Sequence, residues 1–234
     1  MIIDCHTHIL PGIDDGAKDL DMSLEMLKEE SKQGVDLIIA TPHFYANLDR
    51  MDNFISRRAE AFEKLKPILE ENPDFPKVKL GAEFAYFPGI SKAEGIEQFC
   101  IEGTKTLLLE MPFCSWDDRV LKEVNSLVND RGFNIVLVQI ERYLGFAGQR
   151  EKLELLLYNQ VYLQVNAESL CQEGFFKKRK SAKLISWFEI GKVSLMGSDC
   201  HNLSSRIPNL NLGRSKLSKE ALENIDEIAE LLTK

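Results

Sequence analysis

Short apolar runs alternate with longer amphipathic segments along the whole chain. The apolar runs predict seven strands, at residues 2–3, 35–40, 78–80, 106–109, 135–138, 161–165 and 193–196. Between them, apolar residues at helical spacing predict helices at residues 20–33, 53–71, 91–99, 117–131, 150–158, 180–190 and 218–234. Asp117 is suited to cap a helix start, and Gly34, Gly132 and Gly191 are typical of helix ends.

This alternation predicts a largely parallel sheet, because parallel neighbours need crossover connections that helices usually supply. A closed barrel and an open, doubly wound sheet both satisfy the pattern. A chain of 234 residues, of which 44% are hydrophobic, is long enough for one well-buried domain, and we expect one domain spanning residues 1–234.

The polar residues at the ends of these strands favour the barrel. All four histidines of the chain and several carboxylates lie at or just past the carboxyl ends of predicted strands: His6, His8, His43, Glu83, Glu110, Asp199 and His201. In a barrel those ends meet at one mouth, where active sites of this architecture are built. Alternation in an extended chain also turns His6 and His8 to one face, and Asp199 and His201 to one face.

Imidazoles and carboxylates gathered in one mouth predict a metal site, because divalent cations neutralise charges that would otherwise repel one another. Carboxylates can bridge two cations, and a site with more than one metal suits hydrolysis at phosphorus. Arg142 follows the predicted strand at 135–138 and Arg206 follows His201, so both lie near the predicted mouth and are suited to bind phosphoryl oxygens. Oxygen and imidazole ligands suit manganese, iron and zinc alike.

Charge and cysteine usage argue against several other classes of protein. A formal net charge of -8 argues against a nucleic-acid face, and the one basic run, at residues 177–180, is typical of a solvated helix face. Five cysteines without a Cys-x-x-Cys pair, and a start without a signal-like segment, predict a cytoplasmic protein. No apolar stretch approaches the roughly 20 residues that span a bilayer, so we expect no direct membrane insertion.

Four segments together resemble a known family. Residues 6–17 (HTHILPGIDDGA), 41–43 (TPH), 141–143 (ERY) and 197–203 (GSDCHNL) are similar to the bacterial capsule-linked tyrosine phosphatases of the polymerase and histidinol phosphatase (PHP) superfamily. The resemblance implies a distorted seven-stranded α/β barrel related to the TIM barrel. It also implies a centre of two or three divalent ions, usually manganese, with iron or zinc as alternatives. The implied substrate is the phosphotyrosine tail of a membrane-associated bacterial tyrosine kinase that controls capsular or extracellular polysaccharide production.

The resemblance also implies roles for individual residues. One metal site would be formed by His6, His8, Glu83 and Asp199, and another by Asp14, His43 and His201. Glu110 would help to hold a further cation, and Arg142 and Arg206 would bind the phosphate. Gln139 stands where the family carries a histidine ligand, and a neutral amide oxygen is a weaker donor than imidazole to transition metals.

Three alternatives follow from the same residues. Cys200 and Arg206 have the Cys-x5-Arg spacing of thiolate tyrosine phosphatases, although residues 201–205 contain no glycine for a phosphate-wrapping loop. A small-molecule phosphomonoesterase of the same superfamily would use the same centre. Gln139 is also compatible with a weakened phosphatase that acts mainly in binding or regulation.

The aromatic residues at 44–45, 84–87 and 113–116 are candidates for a slot that takes a tyrosine ring.

Overall fold

The computed structural model describes the backbone of residues 1–234 and every side chain except those of residues 175 and 176. The described backbone contains nine strands: β1 (Ile3–Thr7), β2 (Leu37–Ala40), β3 (His43–Phe44), β4 (Lys77–Leu80), β5 (Glu83–Ala85), β6 (Thr106–Glu110), β7 (Asn134–Leu137), β8 (Tyr162–Asn166) and β9 (Leu195–Gly197). Its seven α-helices are α1 (Leu20–Lys32), α2 (Met51–Glu71), α3 (Asp118–Asn129), α4 (Gln149–Tyr158), α5 (Phe175–Glu189), α6 (Leu210–Arg214) and α7 (Lys219–Thr233).

Every strand pairing is parallel, which confirms the predicted α/β organisation. The strands form two sheets, with orders β1-β2-β4 and β3-β5-β6-β7-β8-β9. The first and last strands also meet, because the Asp199 amide donates to the His6 carbonyl at 2.8 Å and the His8 amide donates to the Cys200 carbonyl at 3.0 Å. The chain's two ends therefore contribute to the same rim.

The strand count differs from the seven predicted because two predicted strands are each interrupted near their carboxyl ends. Pro42, which has no amide hydrogen to donate, separates β2 from β3, and Gly81-Ala82 separates β4 from β5. Backbone hydrogen bonds continue across both breaks, from the Gly81 amide to the Ala40 carbonyl at 2.8 Å and from the Glu83 amide to the Pro42 carbonyl at 3.1 Å. The breaks bring His43 and Glu83 to the start of new strands at the rim.

Most helices lie where the periodicity predicts them, and their caps explain why. Asp19, Asp117 and Ser218 each accept hydrogen bonds from backbone amides in the first turn of α1, α3 and α7. Helix α5 begins five residues earlier than predicted, directly after Gly174, whose φ of 95° ends the preceding turn. The predicted helix at 91–99 is two short 3-10 turns, Ile90–Lys92 and Ile96–Phe99, and α6 was not predicted.

Helices and sheets enclose a large apolar core. Its most compact aromatic cluster consists of Phe44, Phe54, Phe84 and Phe99, with ring centroids 4.5–5.4 Å apart. Phe44 and Phe84 directly follow His43 and Glu83, so packing of the two rings fixes the strands that carry the polar residues. Among the described residues, no helix combines the length and apolar character that crossing a bilayer requires.

Gly197 allows β9 to approach β1 closely, and enlarging it should destabilise the fold. An added Cβ would lie 2.6 Å from the His6 Cβ and 3.0 Å from the Gln164 Nε2. Gly197→Ala is therefore expected to lower the free energy of unfolding by about 1–3 kcal/mol, the usual cost of overpacking a core. For a chain of this size the melting temperature should fall by several degrees.

Gly145 provides the matched control for this prediction. A Cβ at Gly145 would meet no described atom within 4 Å. Gly145→Ala should therefore melt close to the unmodified protein in the same calorimetry scan. Equal melting temperatures for the two variants would show that contact between β1 and β9 is looser than described here.

Candidate metal centre

The parallel strands deliver seven polar side chains to one rim. His6 and His8 come from the end of β1, His43 and Glu83 from the starts of β3 and β5, and Glu110 from the end of β6. Asp199 and His201 follow β9. Because β3 and β5 begin just past the ends of β2 and β4, and the carboxyl ends of parallel strands point the same way, residues separated by nearly 200 positions in sequence become neighbours.

The first group of potential ligands is fully buried. It comprises His6, His8, Glu83 and Asp199, with one ligand atom from each lying within 4.8 Å of the others. Glu83 Oε2 lies 3.0 Å from His6 Nε2 and 3.3 Å from His8 Nε2. Asp199 Oδ1 lies 3.6 and 3.5 Å from the same two nitrogens. These are the four residues that the family resemblance groups together.

The second group adds a residue that the sequence did not single out. It comprises His8, Asp15, His43 and His201. Asp15 Oδ1 lies 3.4 Å from His201 Nε2 and 3.5 Å from His43 Nε2, although most of its side chain is exposed. The imidazole rings of His8 and His201 are in contact, with their centroids 3.8 Å apart. This group therefore contains Asp15 together with His43 and His201, the two histidines that were expected to act with Asp14.

Asp14 lies beside the second group, and its role as a direct ligand stays a prediction. Its Oδ2 accepts hydrogen bonds from His8 Nδ1 at 2.7 Å and from the His43 amide at 3.0 Å, and its Oδ1 accepts from the Gly16 amide. Burial favours the neutral acid, but the hydrogen bond and charge of His8 outweigh it and hold the pKa of Asp14 at about 2. Asp14 thus orients the His8 ring and keeps its Nε2 directed at the centre.

Three histidines have Nδ1 engaged, which leaves Nε2 available as a ligand. His8 Nδ1 donates to Asp14, His201 Nδ1 donates to the Asp199 carbonyl at 2.9 Å, and His6 Nδ1 lies 3.4 Å from Gln164 Oε1. A partner on one ring nitrogen sets which nitrogen faces a metal. Gln164, on β8, was not predicted as part of the site, since an alternating strand residue gives no chemical signal of its own.

The third group has three members, one fewer than each of the others. It comprises His43, Glu83 and Glu110, of which the first two also belong to the other groups. Gln139 lies next to these groups: its Nε2 donates to Asp199 Oδ2 at 3.0 Å, and its Oε1 accepts from Arg142. Gln139 and Asp199 both have φ of 54°, a left-handed conformation that costs a non-glycine residue about 1–3 kcal/mol and is common at functional sites.

The carboxylates and imidazoles of the cluster shift one another's pKa values. Burial opposes charge on Glu83, but the His6 charge and the hydrogen bonds from His43, His6 and His8 hold the pKa of Glu83 well below its usual range. Burial similarly opposes charge on His8, yet the hydrogen bond to Asp14 and the nearby carboxylates of Asp199 and Glu83 raise the pKa of His8 well above its usual range. Burial and the nearby His8 charge lower the pKa of His201 to about 4.

Three buried atoms at the rim have no hydrogen-bond partner among the described residues. They are Glu83 Oε1, Asp199 Oδ1 and His201 Nε2. Buried polar atoms are rarely left unpaired, because each costs about 1–3 kcal/mol. Two carboxylate oxygens and an imidazole nitrogen within a cluster of nitrogen and oxygen ligands fit divalent cations such as manganese, iron or zinc. The residues present therefore fit a metal centre of more than one ion.

A cavity of about 510 Å³ opens beside the groups and contains both arginines expected to bind phosphate. Arg206 Nη2 donates to Asp199 Oδ2 at 2.6 Å, and Arg142 Nη1 donates to Glu110 Oε1 at 3.2 Å. Asn166 also donates to Asp199 Oδ2, at 2.7 Å. Lys180 lines the cavity as well, so the last residue of the basic run does more than cover a solvated helix face.

The other wall of this cavity includes Glu141, which the sequence showed only as part of the Glu-Arg-Tyr segment. Its Oε1 accepts hydrogen bonds from the Asn166 amide and the Ser169 hydroxyl, both at 3.2 Å. Burial raises the pKa of Glu141 to about 7. Glu141 thus holds the end of β8, and with it Asn166, against the cavity.

The thiolate alternative does not agree with the position of Cys200. Its side chain is fully buried, and its Sγ lies 3.7 Å from Glu30 Oε1 rather than in the cavity. Burial and the Glu30 and Asp4 carboxylates raise the pKa of Cys200 well above its usual range, which suppresses the nucleophilic thiolate. The Cys-x5-Arg spacing is therefore accidental.

The expected aromatic slot is also smaller than the sequence indicated. Phe44, Phe84 and Trp116 are buried in the core. Tyr45 lines the cavity, and its hydroxyl lies 3.3 Å from His43 Nδ1. Phe113 is 67% exposed, with the Arg142 guanidinium 5.6 Å from its ring centroid. Of these segments, Tyr45 is therefore the aromatic residue that lines the cavity, and Phe113 lies beside Arg142.

The two neighbouring aspartates should respond differently to removal. Asp15→Ala should lower the number of manganese ions bound per chain and leave the melting temperature of the metal-free protein unchanged, because Asp15 is exposed. Asp14→Ala should instead lower the free energy of unfolding of the metal-free protein by about 1–3 kcal/mol, since buried donors lose their acceptor. Elemental analysis and calorimetry separate the two effects. Loss of an ion from Asp14→Ala without a loss of stability would make Asp14 a direct ligand after all.

Comparison with known proteins agrees with this geometry. The family model described as capsular polysaccharide synthesis, CpsB/CapC, matches residues 2–232. The tyrosine-protein phosphatase YwqE of Bacillus subtilis is 30% identical over 210 residues, which cover 88% of this chain and 79% of YwqE. The tyrosine-protein phosphatase CpsB of Streptococcus agalactiae is 27% identical over 242 residues, covering 97% of this chain and 98% of CpsB.

A solved structure is similar over almost the whole chain. It comes from crystal structures of YwqE from Bacillus subtilis and CpsB from Streptococcus pneumoniae, described as unique metal-dependent tyrosine phosphatases. The TM-score is 0.84 at 28% sequence identity, with 99% of this chain and 94% of the other covered. The resemblance inferred from the sequence motifs is thereby confirmed. The chain belongs to the capsular polysaccharide synthesis CpsB/CapC family.

Proposed function

We propose that this protein is a metal-dependent tyrosine phosphatase. The observation that carries the proposal is the convergence of four histidines with Asp15, Glu83 and Asp199, three of whose buried atoms lack hydrogen-bond partners in the described structure, beside a cavity with two arginines. The family membership and the named activity of the relatives support it. Its substrate would be the phosphotyrosine tail of a membrane-associated bacterial tyrosine kinase in capsular or extracellular polysaccharide production.

The fold proposed for this activity is a distorted seven-stranded PHP barrel. Counting β2 with β3, and β4 with β5, as single bent strands reduces the nine strands to seven. The hydrogen bonds between the ends of β1 and β9 then close the ring. We propose that residues 1–234 form one domain of this type. A cytoplasmic location is compatible with five free cysteines.

Two groups of side chains would hold the cations: His6, His8, Glu83 and Asp199 in one, and His8, Asp15, His43 and His201 in the other. Manganese is the proposed metal, with iron or zinc as alternatives that the same ligands accommodate. When bound, divalent ions polarise phosphoryl oxygens and activate water for attack at phosphorus. The chain's contribution is to fix the ligand atoms before substrate arrives.

The arginines would bind and orient the phosphoryl group. Arg206 and Arg142 present their guanidinium groups to the same cavity, where N–H groups can pair with phosphate oxygens and offset the negative charge that develops during transfer. Gln139 and Asn166 hold Asp199 from one side, so that its Oδ1 remains directed at His6 and His8. Tyr45 and Phe113 flank the space available for an aromatic leaving group.

A metal-dependence assay tests the proposal. Protein stripped with chelator should be inactive towards a phosphotyrosine peptide and p-nitrophenyl phosphate, and added manganese should restore turnover. A phosphoserine peptide should be a poorer substrate, whereas preference for a small phosphomonoester over every peptide would favour the small-molecule alternative. Absence of turnover with each metal would leave only a binding or regulatory role.

Cys200→Ala is the control variant for the assay. It should retain activity and chelator sensitivity, because the thiol is buried away from the cavity. Activity that survives chelator but disappears in this variant would replace the metal mechanism with a thiolate one.

A further inference from the structure

The Arg142 guanidinium, although 44% exposed, is hydrogen-bonded at the edge of the ligand cluster. Its Nη1 donates both to Gln139 Oε1 and to Glu110 Oε1, the latter at 3.2 Å. Gln139 is fixed in turn, because its Nε2 donates to Asp199 Oδ2 at 3.0 Å and its backbone amide donates to Gln164 Oε1 at 2.9 Å. Gln139 therefore positions Arg142 against Glu110.

Glu110 is the one member of the third ligand group that the other two groups do not share. A cation at that group would need Glu110 together with His43 and Glu83, which already serve the other groups. Two uncharged oxygens near this group are already engaged, because Gln139 Oε1 accepts a hydrogen bond from Arg142 and the Tyr45 hydroxyl lies 3.3 Å from His43 Nδ1. A third divalent ion would therefore have one ligand of its own, next to a permanent positive charge.

The charge of the cluster also favours two ions. Five carboxylates surround the three groups: Asp14, Asp15, Glu83, Glu110 and Asp199. Two divalent ions with Arg142 and Arg206 exceed those carboxylates by one positive charge, which a phosphate ester can neutralise. A third ion would raise the excess to three charges, and around the buried Glu83 and Asp199 carboxylates solvent screens charge poorly.

We infer that Arg142 supplies the third cation of this centre, held by Gln139 and Glu110, so that the chain binds two divalent ions and not three. The inference rests on the proposed metal-dependent function and specifies its stoichiometry. Arg142 would then serve two purposes, since the same guanidinium lines the cavity that receives the phosphate. A residue with imidazole at position 139 would release Arg142 and offer a nitrogen ligand in its place.

Manganese stoichiometry of the full chain tests the inference. Protein stripped with chelator is titrated with manganese by calorimetry, and bound metal is counted by elemental analysis after desalting. The unmodified protein should bind two ions per chain, and Gln139→His and Arg142→Gln should each bind three. Arg142→Lys is the matched control: it keeps a positive charge beside Glu110 and should remain at two. Circular dichroism verifies that each variant is folded.

The outcomes separate this inference from the proposed function. Three ions in the unmodified protein, or two in both Gln139→His and Arg142→Gln, would overturn the inference and leave the metal-dependent function intact. Three ions in Arg142→Lys would also overturn it, because charge would then not decide the count. Binding of no manganese at all would overturn both.

Discussion

Glu83→Gln is expected to lower the turnover number on a phosphotyrosine peptide by on the order of 10³-fold, equivalent to about 4 kcal/mol of transition-state stabilisation. Glu83 Oε2 lies 3.0 Å from His6 Nε2, 3.3 Å from His8 Nε2 and 3.0 Å from His43 Nδ1. Glutamine keeps the shape of the side chain but removes its charge. The variant should therefore lose metal affinity at the first ligand group. Metal analysis measures the lost affinity, and steady-state kinetics measures the lost turnover.

Glu102→Gln is the control for this substitution, because Glu102 is an exposed carboxylate outside the described ligand groups. It should retain both metal content and turnover. If Glu83→Gln binds manganese as tightly as the unmodified protein and remains active, the cations are held somewhere other than this rim.

Arg206→Ala is expected to reduce kcat/KM for the same peptide by about 10²–10³-fold, the usual effect of removing one donor that stabilises charge in the transition state. Arg206 Nη2 donates to Asp199 Oδ2 at 2.6 Å, so the guanidinium lies against the first ligand group and within the cavity. Inhibition by inorganic phosphate should weaken in parallel, because phosphate would use the same donors. Manganese stoichiometry should not change.

Arg206→Lys and Arg119→Ala complete this experiment. Lysine keeps the charge but not the planar pair of donors, so Arg206→Lys should recover part of the lost kcat/KM. Arg119 is paired with Asp117 on the surface, and Arg119→Ala should have no effect on kinetics. A normal kcat/KM for Arg206→Ala would assign phosphate binding to other residues.

The sequence was sufficient to predict the rim because two patterns agree there: the position of polar residues after apolar runs, and the alternation of side chains between the two faces of a strand. A polar residue follows each apolar run within three positions, and alternation places His6 with His8 on one face. Chain direction in a parallel sheet then brings distant strand ends together, so His43, Glu83 and Asp199 could be grouped without knowledge of any contact. The fold class follows from the same alternation of strands and helices.

Other features depend on turns and tertiary contacts that periodicity does not encode. Whether Asp14 or Asp15 faces the metals is decided by the hydrogen bonds of a tight turn at Gly16, where a Cβ would lie 2.2 Å from the His8 carbonyl oxygen. The side-chain hydrogen bonds of Gln139 depend on Arg142 and Asp199, which lie on different segments. The buried face of α1 also differs from the predicted one. Glu30 is fully buried against Cys200, whereas Leu24 is only partly buried.

Anomalous diffraction from crystals grown with manganese is the most direct measurement of where the cations bind. Two peaks are expected, one among His6, Glu83 and Asp199 and one among Asp15, His43 and His201, with His8 between them and the Arg142 guanidinium beside Glu110. A rim without anomalous signal at saturating manganese, or signal elsewhere on the protein, would contradict the account.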